Sequence, residues 1–172
     1  LFMRAMIYRE FGPPEVLHYE DVPDPVPGPG EIALEVHACS VNRVLDVAVR
    51  AGKQPQRKVQ LPHVGGVDPV GIVTAVGPGV DIAIGTRVLG VSDFVSGNGS
   101  FAAEALAHAG NVFPAPPALD DSAAAGFWIP NMTAWIGLVD RGGLEAGQRL
   151  AVLGAAGGSG IAAVQLGKAL HA

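Results

Sequence analysis

The sequence is poor in cysteine and in charge: it has 1 Cys among 172 residues, and only 16% of its side chains are charged. A single Cys excludes a disulfide framework and a zinc lobe built from several cysteines. The formal net charge of −5 argues against the basic surface that nucleic-acid binding requires. An apolar run of about 20 residues and a signal peptide are also lacking. We therefore expect a cytoplasmic protein that uses neither nucleic acid nor a membrane as a partner.

Proline is absent from the last 42 residues, because all 14 prolines lie at or before Pro130. Before that point, short segments rich in Val and Ile alternate with turns rich in Pro and Gly, a pattern typical of a β-barrel or sandwich. A short helix over residues 42–50, ended by Gly52, is predicted between these strands. The predicted strands cover residues 4–9, 16–22, 31–40, 71–76 and 87–91.

The pattern changes after the proline-rich segment 114–117. Asp120 or Asp121 is expected to cap a short helix through residues 123–125, which Pro130 then limits. The spacing of apolar residues predicts further helices and one strand beyond it. These elements are a helix over residues 133–141, an apolar strand over 149–153 and an amphipathic helix over 161–171.

The strongest local pattern is a glycine-rich turn between the predicted strand 149–153 and the last predicted helix. Its spacing, Gly154-x-x-Gly157-x-x-Gly160, is that of a strand–turn–helix unit whose small residues let a pyrophosphate approach the backbone. The helix N-terminus would then offer free N–H groups and the positive end of its dipole. The alternative is a flexible turn between two elements. The phosphate-binding interpretation assigns cofactor contacts to Gly154, Ala155, Ala156, Gly157, Gly158, Ser159 and Gly160.

Motifs spread over nearly the whole chain resemble quinone oxidoreductase-like members of the medium-chain dehydrogenase/reductase superfamily. They follow the order and the spacing of that family, which makes the resemblance specific. The matching segments are residues 3–7 (Met-Arg-Ala-Met-Ile), 11–17 (Phe-Gly-Pro-Pro-Glu-Val-Leu), 41–42 with Asp46 after them, 66–77, 100–104, 133–134 and 164–165.

The resemblance implies an α/β fold with a large β part. A GroES-like β-barrel domain over residues 1–119 would be followed, over 120–172, by the first strand–turn–helix of a Rossmann domain. It also implies an NADPH-dependent oxidoreductase that transfers a hydride to a quinone or to the C=C bond of an α,β-unsaturated carbonyl. NADPH is preferred over NAD on the resemblance alone. Family members are close to twice this length, so we expect the chain to be truncated inside its Rossmann domain.

The predicted strand 149–153 would have no partner strand within these 172 residues. A parallel sheet is buried on both faces, so this strand would leave an apolar edge open to pairing between chains. We therefore expect a homodimer, with a small-molecule quinone or enone substrate as the other partner. The alternative function is a catalytically inactive GroES-like module that acts in binding or assembly.

The residue types argue against the catalytic zinc of related dehydrogenases. By the resemblance, the zinc-binding Cys position falls at Asn42, and the Gly-His-Glu motif becomes Gly-Val-Asp at residues 66–68. Neither an amide nor a valine suits a zinc site, which takes thiolate, imidazole or carboxylate ligands. Cys39 and His63 are a conceivable pair, but they are only two ligands from unaligned positions. We predict no metal, with Cys39 a small buried strand residue and His63 a loop residue.

Without zinc, enone reduction depends on hydride geometry and on a hydrogen-bond donor near the developing enolate. Asn42 is the candidate catalytic residue and a candidate contact of the nicotinamide or the substrate carbonyl; capping of the following helix is an equally open interpretation. Asp46 is expected to make structural hydrogen bonds. Thr133 resembles the residue of the family's nicotinamide loop that contacts the cofactor, and its alternative role is to cap a helix after Pro130.

Overall fold

The computed structural model describes residues 1–54 and 59–172. The chain folds as two compact units, Leu1–Ala125 and Gly126–Ala172. The sequence places the boundary after residue 119, whereas the contacts of the backbone assign residues 120–125 to the first unit. A short helix in those residues packs on strands of the first unit. That packing, rather than the proline-rich segment before it, sets the end of the first unit.

The strands of the first unit form two antiparallel sheets. Numbered in chain order, they are β1 (Phe2–Tyr8), β2 (His18–Pro23), β3 (Glu31–Cys39), β4 (His63–Val64), β5 (Pro69–Val76), β6 (Arg87–Gly90), β7 (Glu104–His108) and β8 (Val112–Pro114). The smaller sheet has the order β2-β1-β4, and the larger one has the order β7-β3-β5-β6-β8. The predicted strands are confirmed as β1, β2, β3, β5 and β6, with ends shifted by up to 2 residues.

The sequence pattern does not predict β4, β7 or β8, and each has a weak local signal. β4 has 2 residues and β8 has 3, which is too short for an alternation of apolar and polar residues to show. β7 reads Glu-Ala-Leu-Ala-His, and alanine has little intrinsic preference for strands. Its pairing with β3 and the burial of its three central residues stabilise it instead.

Aliphatic side chains from neighbouring strands build the core of the larger sheet. Ile32 and Leu34 of β3 are fully buried and pack with Val73 of β5 and Val88 of β6. Each such side chain contributes about 1.5–3 kcal/mol of hydrophobic stabilisation on burial. The buried cluster also contains Ala105, Ala107 and Val112.

The glycines of the segment 66–77 are required by the backbone. A Cβ on Gly71 would collide with the Glu35 carbonyl oxygen, so its absence lets β5 approach β3 closely. Gly77 makes the same kind of approach to the Gly28 carbonyl. Part of the family resemblance in this segment therefore reflects packing.

The predicted helix after β3 is confirmed as α1 (Arg43–Arg50). Asn42 is its N-cap, because the side-chain oxygen accepts a hydrogen bond from the Leu45 N–H at 3.1 Å. The other end is tied to the loop after β1: the Gly12 N–H donates to the Arg50 carbonyl at 3.0 Å, and Arg50 Nε donates to the Gly12 carbonyl at 3.2 Å. Both ends of this short helix are therefore fixed by specific hydrogen bonds.

The helix at the end of the first unit is α2 (Asp121–Ala125), and Asp120 caps it as predicted. Arg87 of β6 anchors its start: the guanidinium donates to Asp121 Oδ1 at 2.7 and 2.9 Å and to the Leu119 carbonyl at 3.0 Å. The ring nitrogen of His37 lies 3.1 Å from the other carboxylate oxygen of Asp121. The hydrogen bonds from Arg87, and to a smaller extent the one with His37, hold the pKa of Asp121 below its usual value.

The second unit is a helical pair: α3 (Trp128–Trp135), which continues as a π-helical segment Ile136–Arg141, and α4 (Gly158–Ala169). Ala134, Ala162 and Ala163 form its buried core, which confirms the predicted apolar face of α4. The expectation that Pro130 ends one helix and Thr133 caps the next is wrong. Proline is tolerated in the first turn of a helix, and α3 starts before Pro130 and runs through Thr133. No helix in the described part of the chain has the length and apolar character to cross a membrane.

The predicted strand 149–153 does not form a ladder with any described residue. A strand needs a neighbouring strand to which it can hydrogen-bond, and residues 149–153 have none among the described residues. Val152 packs against the core of the second unit, whereas Leu153 is 98% exposed. The turn and the helix that follow this segment are present as predicted.

We expect Arg87→Met to lower the free energy of unfolding more than the removal of an unpaired surface arginine does, because several hydrogen bonds to α2 are lost together. Urea denaturation followed by circular dichroism measures the change. Arg43→Met is the matched control, since Arg43 is exposed and forms no ion pair with any described residue. An equal effect of the two substitutions would contradict the anchoring role of Arg87.

Candidate functional site

The predicted glycine loop lies at the surface of the second unit, immediately before α4. Gly154 has φ +72°, a left-handed conformation that favours glycine. A Cβ on Gly160 would collide with the Gly154 carbonyl oxygen and would lie 2.8 Å from Ala155 Cα. These two glycines are therefore required for the loop to form.

The glycines between them leave open space instead. Gly157 is the N-cap of α4 with φ −81° and ψ 163°, a conformation open to any residue, and an added Cβ would meet only the Gly154 carbonyl at 3.6 Å. At Gly158 the nearest atom to an added Cβ is a side-chain carbon of Pro130, also at 3.6 Å. The absence of these side chains is not explained by packing, so it leaves room for a ligand to approach the backbone.

The start of α4 provides donors at this open space. The Ile161 N–H donates a hydrogen bond to the Gly157 carbonyl at 2.8 Å. The N–H groups of Gly158, Ser159 and Gly160 come before Ile161 in the first turn of the helix. The first N–H groups of a helix have no intrahelical acceptor, and together with the dipole they favour an anion. An anionic group at this loop would therefore meet backbone N–H donors and the positive end of the helix dipole.

Thr133 lies inside α3 in the same unit, and its side chain is exposed. The neighbouring Asn131 side chain donates to the Phe127 carbonyl at 2.7 Å, so it is committed to the first turn of α3. Pro130, in that turn, contacts the start of α4 at Gly158. The Thr133 hydroxyl remains accessible to a ligand.

Asn42 lies in the first unit, where hydrogen bonds with Asp46 and Leu45 hold it at the start of α1. Its backbone N–H donates to Asp46 Oδ2 at 2.7 Å, while its side-chain oxygen accepts from Leu45. This arrangement is a variant of the capping box, in which the side chain that reaches back to the N-cap N–H belongs to the fourth helical residue rather than the third. It confirms the capping interpretation and the structural hydrogen bond expected of Asp46. The Asn42 amide NH₂ has no hydrogen-bond partner among the residues described, so it can still donate to a ligand.

Two carboxyl groups lie near the start of α1, one half-buried and one buried. Burial raises the pKa of Asp46 to about 6, with a smaller contribution from the charge of Asp68. Burial likewise raises the pKa of Asp68 to about 6, although the Ser40 hydroxyl donates to it at 2.6 Å. Asp68 is only 2% exposed. Sequence reasoning assigned no role to Ser40 and Asp68, which lie 28 residues apart in the chain. Only the pairing of β3 with β5 brings them into contact.

The conceivable metal ligands are far from forming a complete set. Cys39 is the last residue of β3 and is half-buried, and burial raises the pKa of its thiol to about 11. The expectation that His63 is a loop residue is wrong, because it is fully buried on β4. The described residues contain no group of three or more His, Cys, Asp or Glu that could hold a metal ion.

The raised pKa of Asp46 predicts a pH dependence of stability. A carboxyl group whose pKa is about 6 in the folded state and about 3.9 in the unfolded chain binds its proton more tightly when folded. Its contribution to stability is therefore present below about pH 4 and is lost as the pH rises through about 6.

The free energy of unfolding should fall between about pH 4 and pH 7. We expect this fall to be smaller in Asp46→Asn by about 1–2 kcal/mol, a figure that allows for the partial exposure of the carboxyl group. The asparagine oxygen can still accept the N–H of residue 42. Urea denaturation at a series of pH values gives the two profiles. The values near pH 4 serve as the internal control, since protonated Asp and Asn are both uncharged. Parallel profiles would contradict the prediction.

Known proteins resemble this chain in sequence and in fold. Residues 28–117 match the alcohol dehydrogenase GroES-like domain. Quinone oxidoreductase of Sus scrofa is 38% identical over 169 residues, which cover 97% of this chain and 50% of the relative. The human quinone oxidoreductase is 37% identical with the same coverage. The chain therefore spans about half the length of the curated relatives it matches.

Solved structures give the same result. The quinone oxidoreductase from Coxiella burnetii superimposes with a TM-score of 0.89 at 28% identity, covering 99% of this chain and 55% of that one. A mycobacterial protein solved in complex with NADPH superimposes with a TM-score of 0.85 at 31% identity, covering 98% of this chain and 50% of that one. The predicted fold class is confirmed. The chain belongs to the family with an alcohol dehydrogenase GroES-like domain, in the medium-chain dehydrogenase/reductase superfamily.

Proposed function

We propose that this chain is part of an NADPH-dependent oxidoreductase of the quinone reductase type. The substrate is a quinone or an α,β-unsaturated carbonyl, and a hydride is transferred to it without zinc. The observation that carries the proposal is the open space above Gly157 and Gly158 at the start of α4, where packing requires no glycine. The quinone oxidoreductases among the relatives, at 37–38% identity, support the reaction type.

The second unit would hold the cofactor. The N–H groups of Gly158, Ser159 and Gly160 would donate to the pyrophosphate, and Gly154 would shape the turn that brings Ala155, Ala156 and Gly157 to its surface. The exposed hydroxyl of Thr133 would add a hydrogen bond. NADPH supplies the hydride when bound. The preference for NADPH over NAD rests on the resemblance and on the structural neighbour that was solved with NADPH.

The first unit would supply the polar contact at the reacting centre. Hydride addition to an enone or a quinone develops negative charge on the carbonyl oxygen, and a preorganised N–H donor stabilises that charge. The Asn42 amide suits this role because its oxygen is held by the Leu45 N–H, which fixes the orientation of the NH₂ group. Residues 42 and 67, an amide and a buried valine, offer no thiolate, imidazole or carboxylate, which supports a reaction without zinc.

We expect the full-length gene product to bind NADPH with micromolar affinity and to oxidise it when a para-quinone is added. Fluorescence titration measures the first property, and loss of NADPH absorbance measures the second. Gly157→Val should weaken NADPH binding at least about tenfold, the equivalent of about 1.4 kcal/mol, because its side chain would fill the space above the loop.

Gly137→Val is the matched control, since Gly137 also has open space around its Cα but lies in the segment after α3. Both variants should keep the helix content of the parent protein. Absence of NADPH binding by the full-length product would contradict the proposal and favour the inactive GroES-like module.

We expect Asn42→Ser to lower kcat for quinone reduction by at least about tenfold while leaving stability nearly unchanged. Serine is as good an N-cap as asparagine, but it lacks the NH₂ donor. Asn42→Ala should lower kcat similarly and also cost about 1 kcal/mol of unfolding free energy, through loss of the cap. An unchanged kcat in Asn42→Ser would limit Asn42 to capping.

The homodimer and the cytoplasmic location stay predictions.

A further inference from the structure

The connection between β3 and α1 is short and has little packing to hold it. The pairing of β3 with β5 ends at Cys39, and α1 begins at Arg43. Of the three residues between them, Val41 is 77% exposed and adds no packing that could fix the connection. The position of Asn42 relative to the sheet therefore depends on hydrogen bonds.

Those hydrogen bonds come from Ser40, and both go to Asp68. The Ser40 N–H donates to the Asp68 carbonyl at 3.2 Å, and the Ser40 hydroxyl donates to Asp68 Oδ2 at 2.6 Å. The second distance lies in the range of charge-assisted O–H···O⁻ hydrogen bonds, which are about twice as strong as neutral ones. We call this pair the Ser40–Asp68 clasp. Among the residues described, Asn42 itself bonds only to residues of α1, so the clasp is the contact that ties it to the sheet.

The helix itself is anchored mainly at its far end. Of the 8 residues of α1 only Val49 is buried, and it lies in the last turn. The hydrogen bonds between Arg50 and Gly12 fix that same end. A helix that is fixed at one end can still swing at the other. The clasp at the N-terminal end therefore sets where the Asn42 amide lies.

The burial of Asp68 is costly for folding. Its side chain is 2% exposed, and no basic side chain in the described part of the chain forms an ion pair with it. Its Oδ1 has no hydrogen-bond partner there either. A buried carboxyl group with a single donor destabilises the folded state relative to an apolar side chain of similar size. Stability alone therefore does not account for this residue.

We propose that Ser40 and Asp68 are positioning residues, which hold the Asn42 amide at the reacting centre. This inference rests on the proposed function, in which that amide donates to the carbonyl oxygen that gains negative charge. A displacement of about 1 Å at a reacting centre can lower a rate by up to about a hundredfold. Because the clasp acts through Asn42, its loss cannot lower kcat by more than loss of the amide does.

The first test measures kcat for quinone reduction in the full-length gene product. Ser40→Ala removes the hydroxyl donor and should lower kcat about three- to tenfold, with the KM for the quinone and the Kd for NADPH within about twofold of the parent values. Ser40→Thr keeps the hydroxyl and should retain kcat within about twofold. Thr86→Val is the matched control, since it removes a hydroxyl that donates to the Ala83 carbonyl at 2.6 Å in the turn before β6. It should leave kcat unchanged.

A double-mutant cycle separates positioning from a general structural effect. In the Asn42→Ser background the amide is already absent, so adding Ser40→Ala should lower kcat by less than about a further twofold. Two independent effects would multiply instead. Multiplying effects, or an unchanged kcat in Ser40→Ala alone, would overturn the proposal.

Nuclear magnetic resonance of the 172-residue chain gives a readout that needs no catalysis. The order parameter of the Asn42 side-chain NH₂ group, measured by nitrogen-15 relaxation, should fall in Ser40→Ala and in Asp68→Leu. It should stay the same in Ser40→Thr and Thr86→Val. An unchanged order parameter in Ser40→Ala would overturn the positioning role. If the order parameter falls as expected but the full-length product transfers no hydride, the failure belongs to the proposed function and not to the clasp.

Discussion

The pairing of β3 with β5 is the constraint on which the first unit depends. Its register places Cys39 opposite Pro69, which brings the exit of β3 beside the entrance of β5. At that point the Ser40 N–H donates to the Asp68 carbonyl at 3.2 Å, and the Ser40 hydroxyl donates to the Asp68 side chain. The close approach is possible because position 71 has no side chain. The N-cap of α1, two residues after Ser40, is thereby fixed in space.

The polar groups around α1 follow from this placement. A helix of 8 residues is marginal by itself, so its position depends on contacts with its surroundings. The capping hydrogen bonds of Asn42 and Asp46 hold one end, and the Gly12 loop holds the other. A half-buried and a buried carboxyl group, those of Asp46 and Asp68, lie nearby, and loss of hydration raises the pKa of both. The first unit thus combines an oriented amide with two carboxyl groups whose pKa is raised to about 6.

The sequence predicted the elements whose signal is local. Val- and Ile-rich strands, the helix ended by Gly52, the Asp120 cap and the apolar face of α4 all appear as expected, because each rests on neighbours within one or two turns of chain. The elements that were not predicted correctly depend instead on residues far away in the chain. β7 exists because β3 lies beside it, and residues 149–153 form no ladder because no described strand lies beside them. Pro130 misled the helix prediction, since its effect depends on how many turns precede it.

For the candidate site, the sequence by itself determined which residues could bind a phosphate and which could not bind zinc. Residue type decides both: small residues expose a backbone, and Asn or Val lacks a zinc donor. Only the tertiary structure separated the glycines that the backbone needs, Gly154 and Gly160, from Gly157 and Gly158, which leave open space. It alone placed Tyr8 against His63 and Ser40 against Asp68. Those contacts join residues far apart in the chain, and strand register, which is set by the packing of the whole sheet, brings them together.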